Sequence, residues 1–166
     1  SAGTDFDPTR VAFVGQSLGS IVGTVFLSID PNVNTGVMSV PGGGIARLLD
    51  GSPTFGPRIR AGLAAAGVEP GTPDYDAFMG AAQTAVDSGD PINFNLASAA
   101  DKRILMQEVV GSDGVPPDQV IPNTVPGAPL SGTEPLIAAY GLAPISQSTQ
   151  NPDGIRGATR FLQGEH

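Results

Sequence analysis

Apolar residues fall into two spacings along this chain. Val11-Ala12-Phe13-Val14 is an uninterrupted apolar run ending at Gly15, the pattern of a strand covered on both faces, as in a parallel sheet. Beyond Ser17 the spacing changes, and Leu18, Ile21, Val22, Val25 and Ile29 recur at helical intervals until Asp30-Pro31 closes the segment. Gly36-Val37-Met38-Ser39-Val40 reads as a second strand, stopped by Pro41 and three glycines. Strand, helix and strand at this spacing predict a βαβ unit with a right-handed crossover. From residue 42 to about residue 100 the pattern predicts helices over 45–50, 57–66 and 73–88. In the last, Thr72 can cap, Pro73 fits the first position, Asp74 and Asp76 suit the positive end, and Gly89 can close it. Its stripe of Tyr75, Phe78, Met79, Ala82 and Val86 is expected to pack into a core. A third strand follows over 104–110, then a helix over 134–140 with Ser131 or Thr133 as cap and Gly141 as stop. The segment 158–162, with Arg160 inside it, reads as a fourth or edge strand. Together these predict one α/β layer structure: parallel strands, flanking helices and a helical insertion over residues 43–100.

Composition narrows the chemistry. The chain has 166 residues, ordinary for one domain, and its 23 Gly and 16 Pro lack any fixed Gly period, which excludes collagen and fits many tight turns. With 8 Lys+Arg against 16 Asp+Glu, the net charge of −8 disfavours nucleic acid as a partner. No apolar run reaches the roughly 18 residues of a transmembrane helix, and the opening SAGTDFDPTR carries no signal-peptide pattern. A single Lys among the cations of an acidic chain favours a secreted, periplasmic or cell-surface setting. The absence of Cys removes disulfides, thiolate zinc sites and Cys nucleophiles together. No metal or cofactor is expected: Asp5 with Asp7, and Asp87 with Asp90, lack a calcium-loop signature, and one His leaves little for a zinc site. Gly42-Gly43-Gly44 is followed by no Lys-Ser/Thr, so it reads as a tight strand exit rather than a phosphate loop.

One pattern carries chemistry. Gly15-Gln16-Ser17-Leu18-Gly19 matches G-x-S-x-G, with an apolar strand running in and a helix running out. In that context Ser17 sits on a sharp strand-to-helix turn, Gly15 and Gly19 avoid collisions where the two elements cross, and the Leu18 N–H can donate to an oxyanion. A serine nucleophile needs a base and the base needs an orienting carboxylate. His166 is the only imidazole; as the last residue it reads either as that base or as a frayed end. Asp113 and Asp118 both lie beyond the third strand, at the sheet edge from which Ser17 emerges.

These residues resemble the α/β-hydrolase superfamily, and specifically its C-terminal half. Gly-Gln-Ser-Leu-Gly-Ser, Ser-Val-Pro-Gly-Gly-Gly, Gln-Glu-Val-Val-Gly, Asp-Gln-Val-Ile-Pro-Asn and Gly-Thr-Glu-Pro-Leu look like the large bacterial extracellular, virulence-factor type lipases, most strongly over residues 11–44 and 104–166. Gln16 stands where a His often precedes the nucleophile. The resemblance selects Asp118 over Asp113, because Asp-Gln-Val-Ile-Pro is similar to the turn that follows the superfamily's acid, and Ser17, Asp118, His166 is its triad order. It implies a serine carboxylic-ester hydrolase with an ester or lipid substrate, and it makes the insertion a lid. An amide or peptide hydrolase on the same triad, and a non-catalytic α/β scaffold, are the competing expectations. The resemblance also implies that residues 1–166 are part of one catalytic domain whose N-terminal strands, and second oxyanion donor, come from a second polypeptide, most simply the N-terminal part of the same precursor.

Overall fold

The computed structural model of the chain describes residues 7, 10–94, 97–164 and 166, with side chains at all of these except 97 and 98. Strands β1 (Phe13–Gln16), β2 (Thr35–Ser39), β3 (Arg103–Val109) and β4 (Gly157–Phe161) pair in that order as one all-parallel sheet. Helix α1 (Leu18–Ile29) joins β1 to β2. Between β2 and β3 lie α2 (Ile45–Gly51), α3 (Gly56–Ala65), α4 (Pro73–Val86), two 3₁₀ turns (Asp87–Gly89 and Pro91–Asn93) and α5 (Ala97–Ala100). Helix α6 (Thr133–Ala139) precedes β4. The α/β layers and the helical insertion are those the pattern predicts; the 3₁₀ turns and α5 are additional.

The first strand is displaced from its expected position. Its ladder with β2 starts at Phe13 opposite Gly36 and runs to Gln16 opposite Ser39, so Val11 and Ala12 precede it and stay exposed. The main core lies on one face of the sheet. There Met38, Met106 and Ala158 form a row across β2, β3 and β4, covered by Leu27 of α1 and by Leu136 and Ile137 of α6. Each strand steps the same way across the sheet, and right-handed crossovers then put the helices that pack on it, α1, α5 and α6, on one face. The opposite face carries the row Val14, Val37 and Leu105, which stays half-exposed or exposed, Val14 at 75%.

Helix α1 follows the amphipathic expectation only in part, at Ile21. Leu18, Val22 and Ile29 point outward, while Ser20, Ile21, Gly23, Thr24, Leu27 and Ser28 are buried. The buried hydroxyls satisfy themselves on the helix: Ser20 Oγ donates to the Ser17 carbonyl at 2.6 Å, Thr24 Oγ1 to Ser20 at 2.7 Å, and Ser28 Oγ to Thr24 at 2.8 Å. Small, self-satisfied residues allow a close approach to β1; a Cβ at Gly23 would meet the Phe13 ring at 2.1 Å.

The insertion has its own small core of Ala46, Tyr75 and Met79, with Ala82 packed against it. Thr72 caps α4 as expected, accepting from the Tyr75 N–H at 3.3 Å. Phe78 and Val86, expected in that stripe's core, are exposed, because the insertion packs on only one side of α4. Asp50 ties three helices: Tyr75 Oη donates to it at 2.5 Å and Arg60 at 3.1 Å, and burial, then Asp50, push the Tyr75 hydroxyl up to about 12. The fully buried Asp90 carboxylate accepts from the Gly44, Ile45 and Ile92 N–H groups and from Gln83 Nε2, at 2.7–3.1 Å, pinning the insertion to the exit of β2. That glycine exit is tight: Gly43 forms a two-bond bridge with Gly132, and Gly44 is left-handed at φ 65°. Ser131 and Thr133 do not cap α6. Ser131 Oγ donates instead to the Gly44 carbonyl at 2.9 Å and Thr133 Oγ1 to Pro41 at 2.6 Å, stitching the loop before α6 to the same exit.

Candidate active site

At the end of β1 the chain reverses through Ser17, at φ 53° and ψ −125°, straight into α1. A non-glycine residue there is strained by about 1–3 kcal/mol and persists only when its surroundings hold it. They do: the Ser17 N–H donates to the Ser39 carbonyl at 3.0 Å, and the Ser17 carbonyl accepts from the Ser20 and Ile21 N–H groups at 2.9 and 3.0 Å. Intrahelical bonding starts with those donors, so the Leu18 N–H in the first turn has no helical carbonyl behind it. The Leu18 side chain is 70% exposed.

The two flanking glycines are not equivalent. A Cβ on Gly15 would lie 2.5 Å from the Gly19 carbonyl oxygen, whereas one on Gly19 meets nothing within 4 Å. The expected collision therefore belongs to Gly15 alone. Gly15→Ala is expected to destabilise by about 2–3 kcal/mol through overpacking, and Gly19→Ala to be neutral or stabilising by up to about 1 kcal/mol through helix propensity. Urea unfolding of the two variants checks this, and equal losses would contradict it.

The loop after β3 carries Asp118. Its N–H donates to the Val109 carbonyl at 3.1 Å, and its Oδ1 accepts from the Val120 and Ile121 N–H groups at 2.7 and 3.0 Å. The carboxylate is 1% exposed. His166 arrives through the turn after β4. Its Nδ1 is 2.9 Å from Asp118 Oδ2, and its Nε2 is 2.6 Å from Ser17 Oγ. A carboxylate only accepts, so Nδ1 carries the proton and Nε2 is left to accept from the Ser17 hydroxyl. Ser17, Asp118 and His166, separated by up to 149 positions, thus form one continuous hydrogen-bonded chain. Asp113 is exposed in the turn between Ser112 and Val115, clear of it. Beside Asp118 and His166 opens a cavity of about 400 Å³, walled on its apolar side by Val115, Pro116, Pro117 and Val120.

Two features had no counterpart in the sequence reading. Val40, just beyond β2, has φ 47°, exceptional for a β-branched residue before proline. Its N–H donates to the Gln107 carbonyl at 2.8 Å, extending the ladder past the strained position beside the Ser17 turn. The second is a charge cluster. Glu108 of β3 sits opposite Arg160 of β4, with its side chain 0% exposed. Arg160 makes paired hydrogen bonds to Glu134 of α6 at 2.7 and 2.5 Å, while its Nε lies 3.0 Å from Glu108 Oε1. Burial, and then the neighbouring Glu134 carboxylate, push the Glu108 carboxyl up to about 8; the bond from Arg160 holds Glu134 below its usual range. The signal that was available is a charged residue inside an otherwise apolar strand segment.

Among the described residues no group of three or more His, Cys, Asp or Glu is gathered to hold a metal; Asp5 lies outside them, and both Asp90 oxygens accept from N–H donors. None of the described helices is long and apolar enough to cross a membrane. Comparison with protein-family models, with curated proteins and with solved structures gives no match to this chain. The class defined by the coordinates is thus an α/β layer structure with a four-stranded all-parallel sheet and flanking helices, compatible with part of a larger α/β fold.

Proposed function

We propose that the chain is the nucleophile-bearing half of a serine carboxylic-ester hydrolase of α/β-hydrolase type, similar to virulence-factor lipases. The observation that carries the reading is the hydrogen-bonded sequence Ser17 Oγ, His166 Nε2, His166 Nδ1, Asp118, hung on a strained strand-to-helix turn. In the proposed reaction His166 Nε2 removes the Ser17 proton as Oγ attacks the ester carbonyl, and Asp118 stabilises the imidazolium. The Leu18 N–H, at the positive end of α1, donates to the developing oxyanion; one such donor is worth about 3 kcal/mol. The imidazolium then protonates the departing alcohol, leaving an acyl group on Ser17. Water deprotonated by His166 attacks that ester, and the acid leaves as Ser17 regains its proton. The apolar wall beside His166 favours an apolar acyl or alcohol group.

In this proposal further strands, outside residues 1–166, complete the enzyme. Supporting it are the edge of β1 that is unpaired among the described residues, the exposed Val14 next to it, and the outward Leu18, Val22 and Ile29 stripe that runs along α1 from Ser17. Helices for that sheet face come from strands stepping the opposite way from β1, which makes the end of β1 the reversal point where α/β sheets bind ligands. The missing oxyanion donor then arrives from that side. The test is hydrolysis of p-nitrophenyl esters of increasing chain length against peptide anilides, on protein isolated natively from its source. Ester turnover lost in Ser17→Ala is the expected result; anilide turnover exceeding ester turnover would make it an amidase.

A further inference from the structure

We propose that Glu108 and Glu134 are positioning residues that share Arg160 and, through it, hold the strand that delivers His166 against the strand that delivers Asp118. The inference rests on His166 being the base of the proposed hydrolase. Two sequence segments far apart, Gln107-Glu108-Val109-Val110-Gly111 and Gly132-Thr133-Glu134-Pro135-Leu136, each bring one glutamate to this guanidinium. Glu108 is adjacent to Val109, whose carbonyl receives the Asp118 N–H at 3.1 Å and Asn123 Nδ2 at 2.9 Å. Arg160 is adjacent to Phe161, whose carbonyl receives the Val110 N–H at 2.9 Å just before the turn to His166. Glu134, in the first turn of α6, is fixed through its own N–H to the Asn123 carbonyl at 2.9 Å. One cation therefore joins the acid's strand, the base's strand and the helix over them.

The charges fit a shared arrangement. Two carboxylates face one guanidinium, and Glu108 is sealed from solvent with neither oxygen in an aligned hydrogen bond. A buried carboxyl with no aligned donor favours its neutral form. At neutral pH Glu134 balances Arg160 and Glu108 keeps its proton. Removing Glu134's charge leaves Arg160 beside Glu108, which ionises and takes over the pairing; replacing Glu108 leaves the Glu134 pair intact. Either single change is tolerated, and only the double change strands Arg160.

The chain's single His makes the test direct: in the assembled protein with only residues 1–166 isotope-labelled, every labelled imidazole NMR signal belongs to His166. Glu108→Gln and Glu134→Gln are each expected to keep the His166 Nδ1–H signal and to label with a fluorophosphonate within about threefold of wild type, whereas the double variant loses the signal and labels about 10- to 100-fold more slowly. Additive losses, or an intact Nδ1–H signal in a folded double variant, would overturn the proposal. The single variants provide a check that does not need the double to fold. The unfolded chain releases the Glu108 proton near 4.5 and the fold holds it to about 8, so wild-type stability falls as pH rises between those values. That fall is expected to vanish in Glu108→Gln and to shrink in Glu134→Gln, where burial remains but the neighbouring carboxylate is gone, and its persistence at full size in Glu134→Gln would refute the sharing. If the NMR and stability results hold while wild type takes no label at all, the hydrolase reading fails and the positioning stands.

Discussion

Replacing Ser17 by alanine is expected to lower kcat for ester hydrolysis by about a millionfold, the scale on which a triad nucleophile acts. No neighbouring hydroxyl can substitute, since Ser20 Oγ is already committed to the Ser17 carbonyl at 2.6 Å on the buried side of α1. Ser17→Gly is expected to be equally inactive but more stable. The φ of 53° is comfortable for glycine, and relief of about 1–3 kcal/mol of strain outweighs the ~0.4–1 kcal/mol that glycine adds to the freedom of the unfolded chain. Kinetics paired with urea unfolding check both halves. A Ser17→Gly variant less stable than wild type would mean that the turn is not strained as described.

The second large effect is at Asp118. Its Oδ1 accepts from two backbone N–H groups at 2.7 and 3.0 Å, so Asp118→Asn orients with its carbonyl oxygen on those donors and its NH₂ toward His166. An NH₂ cannot accept from Nδ1–H. The imidazole must then carry its proton on Nε2, which faces Ser17 Oγ and can no longer take the hydroxyl proton. We expect kcat to fall by roughly 10⁴-fold with little change in KM. With only residues 1–166 isotope-labelled, the imidazole ¹⁵N shifts of their single His report the tautomer directly, and an Nδ1-protonated ring in an inactive Asp118→Asn would contradict the explanation.

How much of this was legible depended on the range of each interaction. The elbow was readable because its physics is local: an apolar run, a G-x-S-x-G turn and a helical spacing lie within about one βα unit. His166 followed by elimination, since no second imidazole competes with it. The choice of Asp118 over Asp113 came from a resemblance, and its geometric cause, two N–H groups in the turn it caps, is visible only in three dimensions. Helix α1 shows where pattern misleads. Its apolar stripe marks a helix correctly, yet Leu18, Val22 and Ile29 of it face outward while Ser20, Thr24 and Ser28, whose hydroxyls bond to the helix's own carbonyls, are buried beside Ile21 and Leu27. The Glu108, Arg160 and Glu134 cluster was invisible as a unit, since pairing of β3 with β4 and the docking of α6 bring together residues up to 52 positions apart.

The account's central claim is that Ser17 is an activated nucleophile. Fluorophosphonate labelling of the natively isolated protein, read by peptide mass spectrometry, tests it most directly. The prediction is one adduct on Ser17, abolished by Ser17→Ala and strongly slowed by His166→Ala. No adduct on Ser17, or one that forms as fast without His166, would contradict it.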